Sequence, residues 1–181
     1  HHAITAMLSA MRGVAARLGT VRSAALRDAG PFPAALADRL PDTQAALLLN
    51  GELLTSGGDV CDGRAQILGA GGGPAERAGA DGVWTAALNA RGLALTPPGE
   101  AAIRFEKTRL LPAELPLGAA RENRMVRRAI RAGPAADGTL IPADFALWPG
   151  SVPPVNVRVP LEPLARAAGA PGMANLLLST L

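Results

Sequence analysis

Residues that carry chemistry are what this chain has least of. It holds one cysteine, Cys61, no tyrosine, and two histidines, His1 and His2, both at its very start. A lone cysteine excludes an intramolecular disulfide and a cysteine metal cluster. Without a histidine in the body of the chain, a serine or cysteine nucleophile has no imidazole base, and no G-x-S-x-G occurs. Cys61 lies in Asp59-Val60-Cys61-Asp62-Gly63, where two carboxylates raise a thiol pKa instead of lowering it. Aromatics are scarce as well: Trp84, Trp148 and three phenylalanines. The core must therefore be aliphatic, and few rings are available to stack on bases. No apolar run reaches the roughly 18 residues that a spanning helix needs, and no signal peptide is visible.

What remains is an ordinary folding composition. The 181 residues are 49% hydrophobic and 18% charged, too apolar for disorder and long enough for one domain that needs no staple. Lysine nearly vanishes, leaving Lys107 among the arginines, while alanine, glycine and proline abound. That bias fits a GC-rich bacterial genome, so the net charge of +3 is weak support for a nucleic-acid partner.

The clearest pattern is at the front. Ile4, Met7, Met11, Val14, Leu18, Val21 and Ala25 alternate steps of three and four, the apolar repeat of a helix edge that lies along a partner. This predicts a helix over 1–30, stopped by Gly30-Pro31, with Ile4, Met7, Met11, Val14, Leu18 and Val21 as the seam. Gly13 and Gly19 weaken it as a free coiled coil, so it packs on the chain's own sheet or also meets another chain. His1-His2 read as the tail of a purification tag running into Ala3 without a methionine. A signal or membrane anchor before Ala3 is one expectation, and a trimmed start is the other.

Beyond the helix the chain predicts a single α+β domain over 31–181. A short helix spans Phe32–Leu40. Ala45–Leu49 and Glu52–Thr55 flank Asn50-Gly51, the preferred pair for a type I′ hairpin turn. Arg64–Leu68 adds a strand, and the glycine-rich 69–81 reads as a loop without the GK[ST] of a phosphate site. Val83–Leu88 and Gly92–Thr96 form a second hairpin around Asn89-Ala90-Arg91. Ala102–Thr108 alternates like a strand, with Ile103 and Phe105 on one face and Arg104 and Glu106 on the other. Gly118–Arg131 reads as a second helix ending at Gly133-Pro134, with a basic face of Arg121, Arg124, Arg128 and Arg131 for phosphates, headgroups or an acidic protein surface. Prolines 149, 153, 154 and 160 confine the short strands near Val155–Val159 to edges. Leu161–Ala168 is a short helix and Leu176–Leu178 a last strand. The expected fold is thus a long N-terminal helix packed on a mainly antiparallel β-sheet with short peripheral helices.

A helix leading into an antiparallel sheet resembles the periplasmic part of pilin-like subunits, though their glycine-led hydrophobic start is absent. The Ala45–Thr55 hairpin resembles the opening of a PAS or GAF-type sensory domain. The rest of the chain follows neither pattern, and no family is assigned. The expectation is a non-catalytic domain of a bacterial envelope secretion or pilus assembly protein, periplasmic or membrane-anchored through a preceding segment. It would act through protein–protein contacts with itself or other subunits, with nucleic acid disfavoured and no cofactor or metal. The alternatives are a sensory domain holding a small ligand within its sheet, and an enzyme whose acids and arginines meet in one cleft.

Overall fold

The computed structural model describes residues 23–40, 42–71, 82–96, 100–108, 124–134, 145–146 and 152–180. Their order is β1 (Ser23–Pro33), a 3-10 helix (Ala34–Arg39), β2 (Thr43–Thr55), β3 (Val60–Ala70), β4 (Trp84–Leu88), α1 (Ala90–Leu95), β5 (Glu100–Glu106), β6 (Met125–Pro134), β7 (Asn156–Pro160), α2 (Leu161–Ala167) and β8 (Met173–Thr180). The strands make one sheet in the order β1-β8-β2-β3-β7-β4-β6-β5, and β5 pairs back onto β2. Six strands, β2-β3-β7-β4-β6-β5, therefore close into a barrel, from which β8 and β1 extend as a wing. Closure removes the exposed edges that an open sheet leaves. Most pairings are antiparallel, but β3–β7 and β4–β6 are parallel.

This overturns the α+β expectation: the protein is mainly β. Ser23–Gly30, read as the end of the first helix, belongs to β1, which pairs with β8. The rest of that helix, including Ile4, Met7, Met11, Val14, Leu18 and Val21, lies outside the described residues. Gly118–Arg131 is overturned too, because Met125–Pro134 is a strand antiparallel to β5 and parallel to β4. Val126 and Ile130 are four apart, a spacing that places them together on a helix face and equally on a strand face. Their β-branched shape favours the strand, where they pair with Phe105 and Ala101 across the barrel wall.

The Asn50-Gly51 turn is a third correction. Both residues sit inside the continuous strand β2, and the chain reverses instead at Ser56–Asp59. There the Thr55 amide donates to the Asp59 carbonyl at 2.8 Å, and Gly58 takes φ +102°, which suits glycine alone. Gly51 is a corner. One edge of β2 pairs with β8 from Thr43 to Ala46 and with β5 from Gly51 to Thr55. A Cβ on Gly51 would stand 2.5 Å from the Arg104 carbonyl oxygen and 2.5 Å from Ile67 Cδ1, so only glycine lets the barrel close here. On this edge, between the two pairings, Leu48 has no ladder partner. Asn175 fills the gap, its Oδ1 accepting from the Leu48 amide at 2.7 Å and its Nδ2 donating to the Leu48 carbonyl at 2.9 Å.

The apolar run Ala45–Leu49 is continuous because both faces of β2 are covered. Leu47, Leu49 and Leu53 point into the barrel with Ile67, Ile103, Phe105, Ile130 and Val157. Ala46 and Leu48 pack outside with Leu68, Phe145, Leu176 and Leu178. Under the wing, Phe32, Leu36 and Ala37 cover Ala45, Ala174 and Leu177. Helix α2 caps one end of the barrel, with Leu164 and Ala165 joining the interior cluster. Helix α1 leads from the end of β4 to the start of β5 at the opposite end. It replaces the second expected hairpin: Asn89 is its N-cap, accepting from the Gly92 amide at 3.0 Å. The strand expected over Ala102–Thr108 and the helix expected over Leu161–Ala168 are present as β5 and α2, within a residue or two at their ends.

Candidate recognition cleft

The groove in question opens on the outside of β3, where that strand departs from regular pairing. Gly51 lies opposite Ala65, Leu53 opposite Asp62 and Leu54 opposite Val60, so β3 carries one extra residue at each step. Two successive β-bulges thus fall on Cys61–Arg64, and bulges re-aim side chains and bend a strand outward. Beside them lies a cavity of about 730 Å³ lined by Cys61, Asp62, Arg64, Gln66, Arg91 and Val152, among others. A second, of about 470 Å³, reaches from Gly63 and Arg64 to Glu52, Arg104, Phe105 and Met125. Gly63 and Arg64 border both, and the term trough covers the two lobes together. A Cβ on Gly63 would meet nothing within 4 Å, which marks open space.

The far wall is the proline-braced approach to β7. Asn89 Nδ2 donates to the Pro154 carbonyl at 2.8 Å, and its Oδ1 also accepts from the Asn156 amide at 3.3 Å. Asn156 Nδ2 donates to the Phe145 carbonyl at 2.8 Å. Arg91 binds the Pro153 carbonyl through Nη1 at 2.7 Å and Asp62 Oδ2 through Nη2 at 3.3 Å. The other Asp62 oxygen accepts from the Arg64 amide at 2.7 Å, which holds the bulge. Prolines 153 and 154, expected at an edge, therefore build a wall that two side chains pin in place.

Most charges here are already engaged. Asp62 pairs with Arg91, Glu52 with Arg104, and Glu106 with Arg124 at 3.7 Å. Two groups differ. The Arg64 side chain is exposed and, among the described residues, has no hydrogen-bond or ion-pair partner. Among the described residues Gln66 Oε1 is buried without a hydrogen-bond partner, although the Gln66 amide is satisfied by the Val155 carbonyl at 2.8 Å. A buried acceptor left unmade costs stability unless something supplies the donor. These two residues border the same lobe.

The expected basic helix face does not exist. Arg121 lies outside the described residues; Arg124 precedes β6 and bridges Glu106, and its carbonyl accepts from the Lys107 amide at 2.8 Å. Arg128 and Arg131 stand three apart on a strand, so they fall on opposite faces. Arg127, adjacent to that expected face in the sequence, sits opposite Arg104 and donates to the Ser56 carbonyl at 3.1 Å. Cys61 borders the trough, and burial, helped by the Asp59 charge, pushes its thiol pKa up; of the two carboxylates expected to do this, only Asp59 contributes, and burial outweighs it. Neither Arg64 nor Gln66 was legible as a site residue. Their only signal was position: the polar residues of β3 that alternate with buried Ala65 and Ile67.

No family model matches the chain, and neither the curated proteins nor the solved structures provide a match. Nothing among these comparisons supports a secretion, pilus or periplasmic assignment. That assignment rested on a helix-led α+β plan, which the barrel replaces, and it is set aside.

Proposed function

We propose that this chain is a non-catalytic binding domain that works by contact with another protein, through the trough beside β3. The observation that carries this reading is the pairing state of its groups. Among the described residues Arg64 offers at one wall an exposed guanidinium with no partner, while Arg91, bonded to Asp62 and to the Pro153 carbonyl, braces that wall. A preformed surface with a few unspent polar groups is suited to recognition, because little ordering is lost on binding. Acids and arginines do meet in this cleft, the condition for the enzyme alternative. Yet Asp62, Glu52 and Glu106 each engage an arginine, and the thiol beside Asp62, Cys61, has its pKa pushed up by burial and the Asp59 charge, away from the reactive thiolate. The interior ligand site is disfavoured because leucine, isoleucine, valine and phenylalanine side chains fill the barrel axis, as in other barrels this narrow.

Photo-crosslinking in the native cell tests the reading. A benzoylphenylalanine replacing Met125 or Val152, both exposed on the trough rim, is expected to give a discrete protein adduct that Arg64→Glu abolishes. The same group replacing Leu95, exposed on α1, serves as the control. Adducts equal at all three positions, or insensitive to Arg64→Glu, would overturn the proposal.

A further inference from the structure

Beyond the trough, we infer that the open edge of β6 takes an acidic β-strand from another protein, added beside Met125–Ala129. Closure removes an edge only where neighbouring strands overlap. Strand β6 pairs with β5 from Met125 to Arg131, but with β4 only from Ile130 to Pro134. Its first half therefore has no strand on the β4 side among the described residues. The cause is local. Strand β4 begins at Trp84, and Gly82 just ahead of it takes φ +74° at a bend, which ends extended backbone there.

Register says which groups stay open. The Lys107 amide donates to the Arg124 carbonyl at 2.8 Å, so Arg124 and Lys107 face each other as a bonded pair. The alternation of an antiparallel ladder then bonds Val126 to Phe105 and Arg128 to Ile103. Met125, Arg127 and Ala129 point their main-chain groups the other way, toward the side that β4 does not reach. The Met125 and Arg127 amides have no hydrogen-bond partner among the described residues. Met125, Arg127, Arg128 and Ala129 are all exposed. An open row of N–H and C=O groups is complemented by an extended strand, which carries the matching row.

Charge selects which strand. Arg128 Nη1 donates to the Arg127 carbonyl at 3.2 Å, so a guanidinium lies along the open edge itself. Arg104 stands across from Arg127 on β5, which leaves this corner of the wall cationic. A second copy of the chain added antiparallel here would set Arg127 and Arg128 against the same two arginines, and like charges oppose such pairing. A strand with acids at two consecutive positions meets both arginines instead. One of its carboxylates replaces the Arg127 carbonyl as the partner of Arg128, and that carbonyl is released to the new ladder.

The test titrates a fluorescein-labelled peptide of threonine and valine, with two adjacent central glutamates, into the whole chain. Anisotropy reads affinity, and amide hydrogen exchange reads the edge. In the free chain the Met125 and Arg127 amides should exchange fast and those of Val126 and Arg128 slowly. Bound peptide should slow Met125 and Arg127 roughly tenfold or more, by one new hydrogen bond each. Arg128→Glu and rising salt should each weaken binding several-fold, since an exposed ion pair is modest and screened. Arg166→Glu, exposed on α2, controls for net charge and should leave affinity as it was. Lysines in place of the glutamates, or N-methylated peptide bonds, should abolish binding. Met125 and Arg127 amides already slow in the free chain, or unmoved by peptide, overturn the inference, as does equal binding of the lysine peptide. Arg64-dependent adducts at Val152 without protection of the Arg127 amide leave the trough reading standing and sink this one. Protection without adducts does the reverse.

Discussion

At the scale of single residues, the structure depends on a few positions where one side chain has no substitute. Gly51 is the strictest. Placing a methyl against the Arg104 carbonyl oxygen forces backbone to move, so Gly51→Ala is expected to cost about 2–3 kcal/mol, or roughly 5–10 °C in Tm. Chemical denaturation of the two proteins side by side measures it. Asn89 is the second. It caps α1, holds the Pro154 carbonyl and meets the Asn156 amide, so Asn89→Ala removes several bonds at once and is expected to cost about 2–3 kcal/mol. Cys61 makes a pH prediction whose sign is set by its raised pKa. The folded chain holds the thiol proton more tightly than the unfolded chain does. This group therefore favours folding below its ordinary value near 9.0 and loses that contribution as pH rises through the folded value. Alkylation by iodoacetamide against pH should give a native curve displaced upward from the curve in urea; coincident curves would refute the burial argument.

Among elements, β2 and α2 have the widest reach. Strand β2 serves the wing through β8 and the barrel through β5 along one edge, and the handover is bridged by the Asn175 side chain. Asn175→Leu would leave the Leu48 N–H and C=O without partners, an expected loss of about 2 kcal/mol. Asn175→Asp should not rescue it, since a carboxylate oxygen would then face the Leu48 carbonyl. Thermal melts of both variants decide this. Helix α2 closes its end of the barrel through Leu164, which is fully buried, so Leu164→Ala is expected to cost about 3 kcal/mol. Leu161, only partly buried, should cost less by the same measurement.

For the whole molecule, closure brings together strands far apart in sequence. The first and last described strands pair, and the barrel is sealed by β2 with β5 and by the parallel β3–β7 and β4–β6 contacts. Loop entropy must be spent before such contacts form, so refolding is expected in milliseconds to seconds instead of microseconds. Stopped-flow tryptophan fluorescence measures this. Removing residues 173–181 would strip β8 from β2 and β1 and uncover Leu48 and Ala46. Loss of cooperative unfolding in that truncated chain is the expected outcome.

Local pattern sufficed wherever one residue's neighbours in sequence are also its neighbours in the fold. The alternation of Ile103, Arg104, Phe105 and Glu106 determined β5, and the short helix expected over Leu161–Ala168 is present as Leu161–Ala167. Aliphatic composition determined an aliphatic core. Other segments satisfied two local rules equally. Asn-Gly suits a hairpin turn, but glycine is also what a barrel corner needs. Asn89 suits a turn and also a cap. Val126 and Ile130 suit a helix and also a strand. Sequence-local energies differ there by less than the energy of closing the sheet, so tertiary packing decided. The same holds for the trough. That the Arg64 side chain stays unpaired among the described residues while Arg91 and Arg104 do not follows from two bulges and a proline wall brought together from distant parts of the chain, and only the folded barrel sets that geometry.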